Sequence, residues 1–484
     1  MQKLTPWRAT LTVLGANSLI GLVAATGTGL GADEAHYALY AWHLDWSYFD
    51  HPPLVGWLQW PLLYFAEHDF VLRLVPLALF FAAGCALHAL TDKALPNTSP
   101  WTGMVAVLLL LSAAMLQLVG LSMLPEGPLL LLGLLSARQI LRVAEQNRLS
   151  DWALLGMYLG FAGLAKYTAI LLLVTLIGFL ISSRQWHWLV QPGPWLAALL
   201  AATLVTPVFW WNWEHEWISF AYQLQHGTGA AEWRIGRLVK SQLHQLLAFG
   251  PMVYLGAVLA AFSAWRSHRA NPGVQLLLWL SLPVLALFLV SSGYQESLPH
   301  WTALGWVSLL PLLANWLISG WSRRQVRWFA KGAASYSILV IVLLFSQLAV
   351  QFIPFPEYRH PLRDLIGWRE AALRGVQLLQ KESDPVAPLM VENWSQASRI
   401  AWYARPQPVQ PLDRRHDQFD LWFGSPQSGE QGLLIAVAYN KMPARRAHRY
   451  FEQCVHRGQL PVTVAGNLVS RFEYYWCTGY RGQK

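Results

Sequence analysis

The stretch 152-WALLGMYLGFAGLAKYTAILLLVTLIGFLIS-182 contains one charged residue, Lys166, in thirty-one positions. As a single helix rising 1.5 Å per residue it would be about 46 Å long, well beyond the roughly 30 Å of a bilayer's hydrocarbon core. Its flanks are basic on both sides, with Arg138, Arg142 and Arg148 before it and Arg184 after it. If both flanks lie on the cytoplasmic side, the run is two short helices with Lys166 near the far-side turn. So apolar a pair is stable only where lipid or other helices cover it.

Working outward, further apolar runs lie near 10–30, 70–91, 101–120, 127–142, 195–211, 245–264, 274–292, 301–318 and 333–353. With the split run they make eleven spans. The expected fold is therefore a polytopic α-helical membrane protein. Only 13% of the 484 residues are charged and 55% are hydrophobic, against roughly 25% charged in an average soluble domain. The 27 tryptophans suit the same class, because indole rings collect at membrane interfaces. The N-terminal MQKLTPWR leads into an apolar run without a small-residue cleavage site, so the first span is expected to stay as an anchor.

On this topology thirteen Lys and Arg fall in inner loops, from Lys3 and Arg8 through Arg266, Arg269 and Lys331, and five fall outside before residue 354. Positive charge favours the cytoplasmic side, which puts the N-terminus in and the C-terminus out. The net charge of +9 follows from these loops. No basic tract is interleaved with stacking aromatics, so nucleic acid is not an expected partner. Residues 1–353 form the membrane domain, with a first outside loop at about 31–69. Residues 354–484 turn charged and proline-rich and are expected to form a small α/β domain on the outer face. Its helical signal is 361-PLRDLIGWREAALRGVQLLQ-380, and its strand-like runs are 433-LLIAVAY-439 and 461-PVTVAGNLVSRFEYYW-476. Cys85 sits in a span and suits packing. Cys454 and Cys477 both fall in the outer domain and permit a disulfide in an oxidising compartment.

The polar groups of the outer face carry the chemistry. In 31-GADEAHYALYAWHLDWSYFDHPPLVGWL-58, Asp33 and Glu34 open an amphipathic segment in which His36, Tyr37, Tyr40 and Trp42 are closely spaced. Asp33 equally suits a helix cap. In 122-SMLPEGPLLLL-132, Glu126 suits the first turn of the next helix, where the dipole favours a carboxylate. Lys166 either reaches the interface or meets an anion, as intramembrane cations do. His51 stands before Pro52-Pro53, and 213-WEHEWISFAYQLQHG-227 and 294-YQESLPHW-301 again mix His, Glu and aromatics outside. Carboxylates, one Lys and several His on separate segments suit acid–base work on a substrate with a lipid-borne phosphate.

The segments ADEAHYALYAWHLDWSYFDHPPLVGWL, LPEGPLLLL, GLAKYTAILLL and PVFWWNWEHEWISFAYQLQHG resemble the bacterial branch of the GT-C glycosyltransferases. They are most similar to the family 39 group, which holds the protein O-mannosyltransferases and the lipid A aminoarabinose transferases. ENWSQASRIAWYA and DRRHDQFDLWFG, nearer the C-terminus, also look like segments of bacterial members. The resemblance implies inverting transfer of a sugar from a polyprenyl-phosphate donor to an envelope acceptor, at the periplasmic face of the bacterial inner membrane. The acceptor would be lipid A, lipopolysaccharide or another glycan, or a protein. It makes Asp33 the base, with Glu34 beside it, and puts Lys166, His51 and Tyr37 on the donor side. Glu126 becomes the second acidic residue, in a Leu-Pro-Glu where relatives often carry Asp. Some members bind a divalent metal near the acidic pair and others work without one. Asp33 and Glu126 would be the ligands here, although no HExxH or CxxC spacing marks a site. Two other readings stay open: a transporter or flippase of a lipid-linked sugar, although no internal repeat is evident, and an O-antigen ligase or polymerase, although the loop at about 213–244 is modest.

Overall fold

The computed structural model describes residues 5–482 apart from 66–67, 229–231, 269, 351–352, 354, 357–359, 439–442 and 465. Lys3 and Arg269, counted above with the inner loops, and Tyr439 at the end of an expected strand lie outside the described residues. The chain forms two compact units. One comprises residues 1–23, 45–58 and 73–342; the other comprises 24–44, 59–72 and 343–484.

The first unit is a bundle of apolar helices. Seven described helices are long and apolar enough to cross a membrane, or nine if each of two bent pairs is one span. The protein is thus a multi-pass helical membrane protein. The 152–182 run breaks at Lys166, whose backbone is extended at φ −159° and ψ 143°. Helix Leu149–Ala165 ends there, a 3₁₀ turn Tyr167–Ala169 follows, and helix Ile170–Ser182 resumes. The expected eleven spans are reached only if these two shorter arms each count as one.

The arms choose different neighbours. Leu149–Ala165 packs along Pro192–Glu214 and Glu126–Gln146, while Ile170–Ser182 packs on Pro272–Ser291. The first contact is close because Gly156 and Gly160 face it. A Cβ on Gly156 would lie 2.5 Å from the Ala197 carbonyl oxygen, and one on Gly160 2.6 Å from Leu204 Cδ1. Small residues let helix backbones approach in lipid, where no hydrophobic force drives helices together. At the other end of the first arm, buried Asp151 accepts from Arg142 Nε at 2.7 Å and Gln139 Nε2 at 3.2 Å, fastening it to Glu126–Gln146.

Two spans expected as single straight helices are bent. Thr102–Ser112 and Ala114–Leu121 meet at 83°, with Ala113 extended between them. Ile235–Phe249 and Pro251–Ser267 meet at 103°. The second bend has a local cause: Gly250 takes φ 89°, open to glycine, and Pro251 cannot donate a helical N–H.

The second unit is a five-stranded sheet flanked by helices. Strands β1 (Leu389–Val391), β2 (Val409–Pro411), β3 (Gly432–Val437), β4 (Phe451–Val464) and β5 (Asn467–Tyr480) lie in the order β2-β1-β3-β5-β4. β1 is parallel to β2 and β3, while β5 is antiparallel to β3 and β4. Side chains alternate as the pleat requires. Leu389, Val391, Leu433, Ile435 and Phe472 join one core; Met390, Leu434, Ala436 and Cys477 join another. The run read as one strand at 461–476 is the end of β4, a turn and most of β5. Cys454 and Cys477 are register partners on these strands and are joined by a disulfide.

Helix Ala32–Trp42 belongs to this second unit, packing against helix Trp394–Ala404. Ala35, Ala38 and Leu39 share a core with Trp368, Ile400 and Trp402. Polar ties reinforce the packing. The Tyr403 hydroxyl donates to Asp69 Oδ2 at 2.6 Å and accepts the Leu30 N–H at 2.9 Å. The Gly29 N–H donates to the Leu365 carbonyl at 3.0 Å.

Candidate functional site

In the membrane unit the break at Lys166 sets an ammonium where the bundle is closed. Lys166 is 7% exposed and Glu126 4%, and Lys166 Nζ donates to Glu126 Oε1. Glu126 is the first residue of helix Glu126–Gln146, so the helix dipole adds to the attraction. A buried ion in an apolar surround needs such a partner, because its desolvation costs several kcal/mol.

Two further groups join the pair. His300 Nε2 lies 3.8 Å from Glu126 Oε1, and Lys166 Nζ stands 5.8 Å from the centroid of the Trp301 ring. His51 is within electrostatic reach of Glu126. The structure therefore brings together Lys166, Glu126 and His51 and adds His300 and Trp301. In the sequence alone, 294–301 shows only a mixture of His, Glu and aromatics.

The loop that carries His51 is braced. The Tyr48 N–H donates to the His51 carbonyl at 3.2 Å, and the Asp45 N–H donates to the Tyr48 hydroxyl at 2.9 Å. Trp211 Nε1 donates to Asp45 Oδ2 at 2.8 Å, Ser219 Oγ to the Tyr48 carbonyl at 2.8 Å and Gln223 Nε2 to the Asp50 carbonyl at 2.6 Å. The aromatic segment from Trp211 to Gln223 thus holds the His-Pro-Pro loop in place. No sequence spacing could have revealed this, since the partners are more than 160 positions apart.

The other three candidates lie in the second unit, on helix Ala32–Trp42. Glu34 is buried and its Oε2 accepts the Gly31 N–H at 2.9 Å, satisfying a backbone donor at the helix start. Capping, expected of Asp33, thus falls to Glu34, and Asp33 is half-buried beside it. Tyr37 is buried against His36 and Tyr40, and its carbonyl accepts from Gln59 Nε2 at 3.0 Å.

Among the described residues no group of three or more His, Cys, Asp and Glu side chains is arranged to hold a metal ion. Of the two expected ligands, Glu126 is paired with Lys166.

Comparison with known proteins extends the picture. The dolichyl-phosphate-mannose-protein mannosyltransferase family pattern matches residues 50–211, which hold His51, Glu126 and Lys166. The lipid A galacturonosyltransferase RgtD of Rhizobium johnstonii is 23% identical over 306 residues. That alignment spans 60% of this chain and 61% of the relative's length. The crystal structures of ArnT from Cupriavidus metallidurans, apo and bound to undecaprenyl phosphate, share the fold at TM-score 0.64 and 14% identity, covering 96% of this chain and 97% of theirs. The oligosaccharyltransferase AglB of Archaeoglobus fulgidus, in complex with an inhibitory peptide and a dolichol-phosphate, matches at TM-score 0.53 and 10% identity, covering 95% of this chain and 74% of its own.

Proposed function

We propose that the chain is a GT-C type glycosyltransferase that transfers a sugar from a polyprenyl-phosphate donor to a lipid acceptor of the lipid A type. The reaction takes place at the periplasmic face of a bacterial inner membrane, with the N-terminus cytoplasmic and the C-terminal domain outside. The observation that carries the reading is the buried Lys166–Glu126 pair at the broken span, inside the segment that matches the mannosyltransferase pattern. A buried cation at that place is suited to a phosphate whose lipid tail stays in the bilayer.

In the step itself, an acceptor hydroxyl oxygen attacks the anomeric carbon as the bond from that carbon to the phosphate oxygen breaks. The bonding electrons leave on the phosphate, whose growing charge Lys166 stabilises. The hydroxyl proton passes to Asp33 as general base. The products are the glycosylated acceptor, with inverted anomeric configuration, and the polyprenyl phosphate. Glu126 holds Lys166 in place before the donor arrives, the resemblance assigns His51 and Tyr37 to the donor, and Glu34 caps the helix that carries Asp33.

The test is mass spectrometry of envelope lipids from a deletion strain complemented with wild type, Lys166→Met or Asp33→Asn. A single-sugar mass difference restored by wild type alone is expected, and the mass names the sugar. A Lys166→Met protein that inserts, folds and restores the lipid in full would falsify the reading.

A further inference from the structure

The two C-terminal motifs, 392-ENWSQASRIAWYA-404 and 413-DRRHDQFDLWFG-424, take no part in the reaction above, yet they converge. Asn393, Trp394 and Arg399 from the first and Asp413 and Arg415 from the second line a cavity of about 540 Å³ within the second unit, with Arg363 at its edge. That volume lies in the range of small-molecule sites, roughly 300–1,000 Å³.

The lining is unusually polar and its charge is lopsided. Three guanidinium groups face two carboxylates, those of Asp364 and Asp413. Arg399 is 1% exposed and locked in place: it lies 3.6 Å over the Trp368 ring and donates to Asp364 Oδ1 at 3.0 Å. Arg415 stands 5.6 Å over the Trp394 ring. Asp413 Oδ1 is buried without a hydrogen-bond partner among the described residues, which is costly unless a donor arrives.

We infer that this cavity binds an anionic sugar, a saccharide bearing a phosphate or a carboxylate, as part of the acceptor. The arginines supply the fork that pairs with either anion. Asp413 and Asn393 supply acceptors and a donor for ring hydroxyls, and Trp394 supplies an apolar face. The role as acceptor site rests on the proposed transfer; the binding itself does not.

Glucose 6-phosphate, glucuronate, glucose and inorganic phosphate are titrated calorimetrically into the full chain in nanodiscs of neutral lipid. At least one of the two anionic sugars is expected to bind tenfold or more tighter than both glucose and inorganic phosphate, and the stronger of the two identifies the anion. Arg415→Ala and Asp413→Asn should each weaken that binding at least tenfold at unchanged Tm. Saturation by neither anionic sugar, equal binding of inorganic phosphate, or wild-type binding by both cavity variants overturns the inference. If wild type transfers no sugar while the titration saturates and Arg415→Ala abolishes it, the proposed reaction falls and the binding site stands.

Discussion

Two buried carboxylates, Glu126 of the membrane unit and Asp417 of the second unit, are treated in opposite ways. Glu126, in the membrane unit, meets the Lys166 ammonium and has His300 at 3.8 Å. Asp417, 2% exposed in the second unit, accepts the Phe419 N–H at 2.9 Å through Oδ1, while Oδ2 has no hydrogen-bond partner among the described residues. Burial pushes the Asp417 carboxyl up to about 6, and the Phe419 N–H, Arg415 and His36 only partly offset it. In the first case a full counter-charge holds the ion in an apolar surround. In the second, a helix cap tolerates a carboxyl whose charge depends on pH.

The largest effect expected from this contrast is that of Lys166→Met. Transfer should fall about 10²–10³-fold, and the orphaned Glu126 should lower stability by about 3–5 kcal/mol, read as Tm in detergent. Adding Glu126→Gln should recover most of that Tm without recovering transfer; recovery of both would mean that the pair is only a structural brace. Asp417→Asn comes next. The folded carboxyl sits above its unfolded value of about 3.9, so its stabilising contribution is complete below pH 4 and is lost as pH rises through 6. Asn caps as well as Asp and cannot ionise. The variant should therefore gain Tm over wild type at pH 7 and lose the decline between pH 4 and 6; a Tm curve parallel to wild type would show that Asp417 is not the titrating group. Arg142→Lys should matter least, under about 1 kcal/mol, because its pair with Asp151 has one partner 44% exposed and is readily replaced.

Much of the membrane unit can be read from its residues because lipid imposes a simple rule. A lone charge in thirty-one apolar positions marks a break, and the break falls at Lys166. Gly250-Pro251 is as plain a signal, yet it lay inside a run long enough to pass for one span, so composition hid the bend. Lys166, Glu126 and His51 were legible as polar groups on separate segments; their convergence was not, since it depends on how the helices pack. Glu34 and Asp33 differ by one position, and only the path of the chain at Gly31 decides which caps. The bracing of the His-Pro-Pro loop by Trp211, Ser219 and Gln223 is legible only in three dimensions.

The helix Ala32–Trp42 is made early in synthesis, yet its neighbours Trp394–Ala404 and Tyr403 are made more than 350 residues later. Until they emerge, Ala35, Ala38 and Leu39 have no core to enter. The chain must therefore hold an apolar, aromatic segment in waiting through most of translation, and closing so long a loop is slow. Assembly of this unit is a last event rather than a first. A ribosome stalled before residue 343 leaves a product whose bundle is built but whose helix Ala32–Trp42 is still uncovered, the kind of exposed apolar surface on which chaperones act.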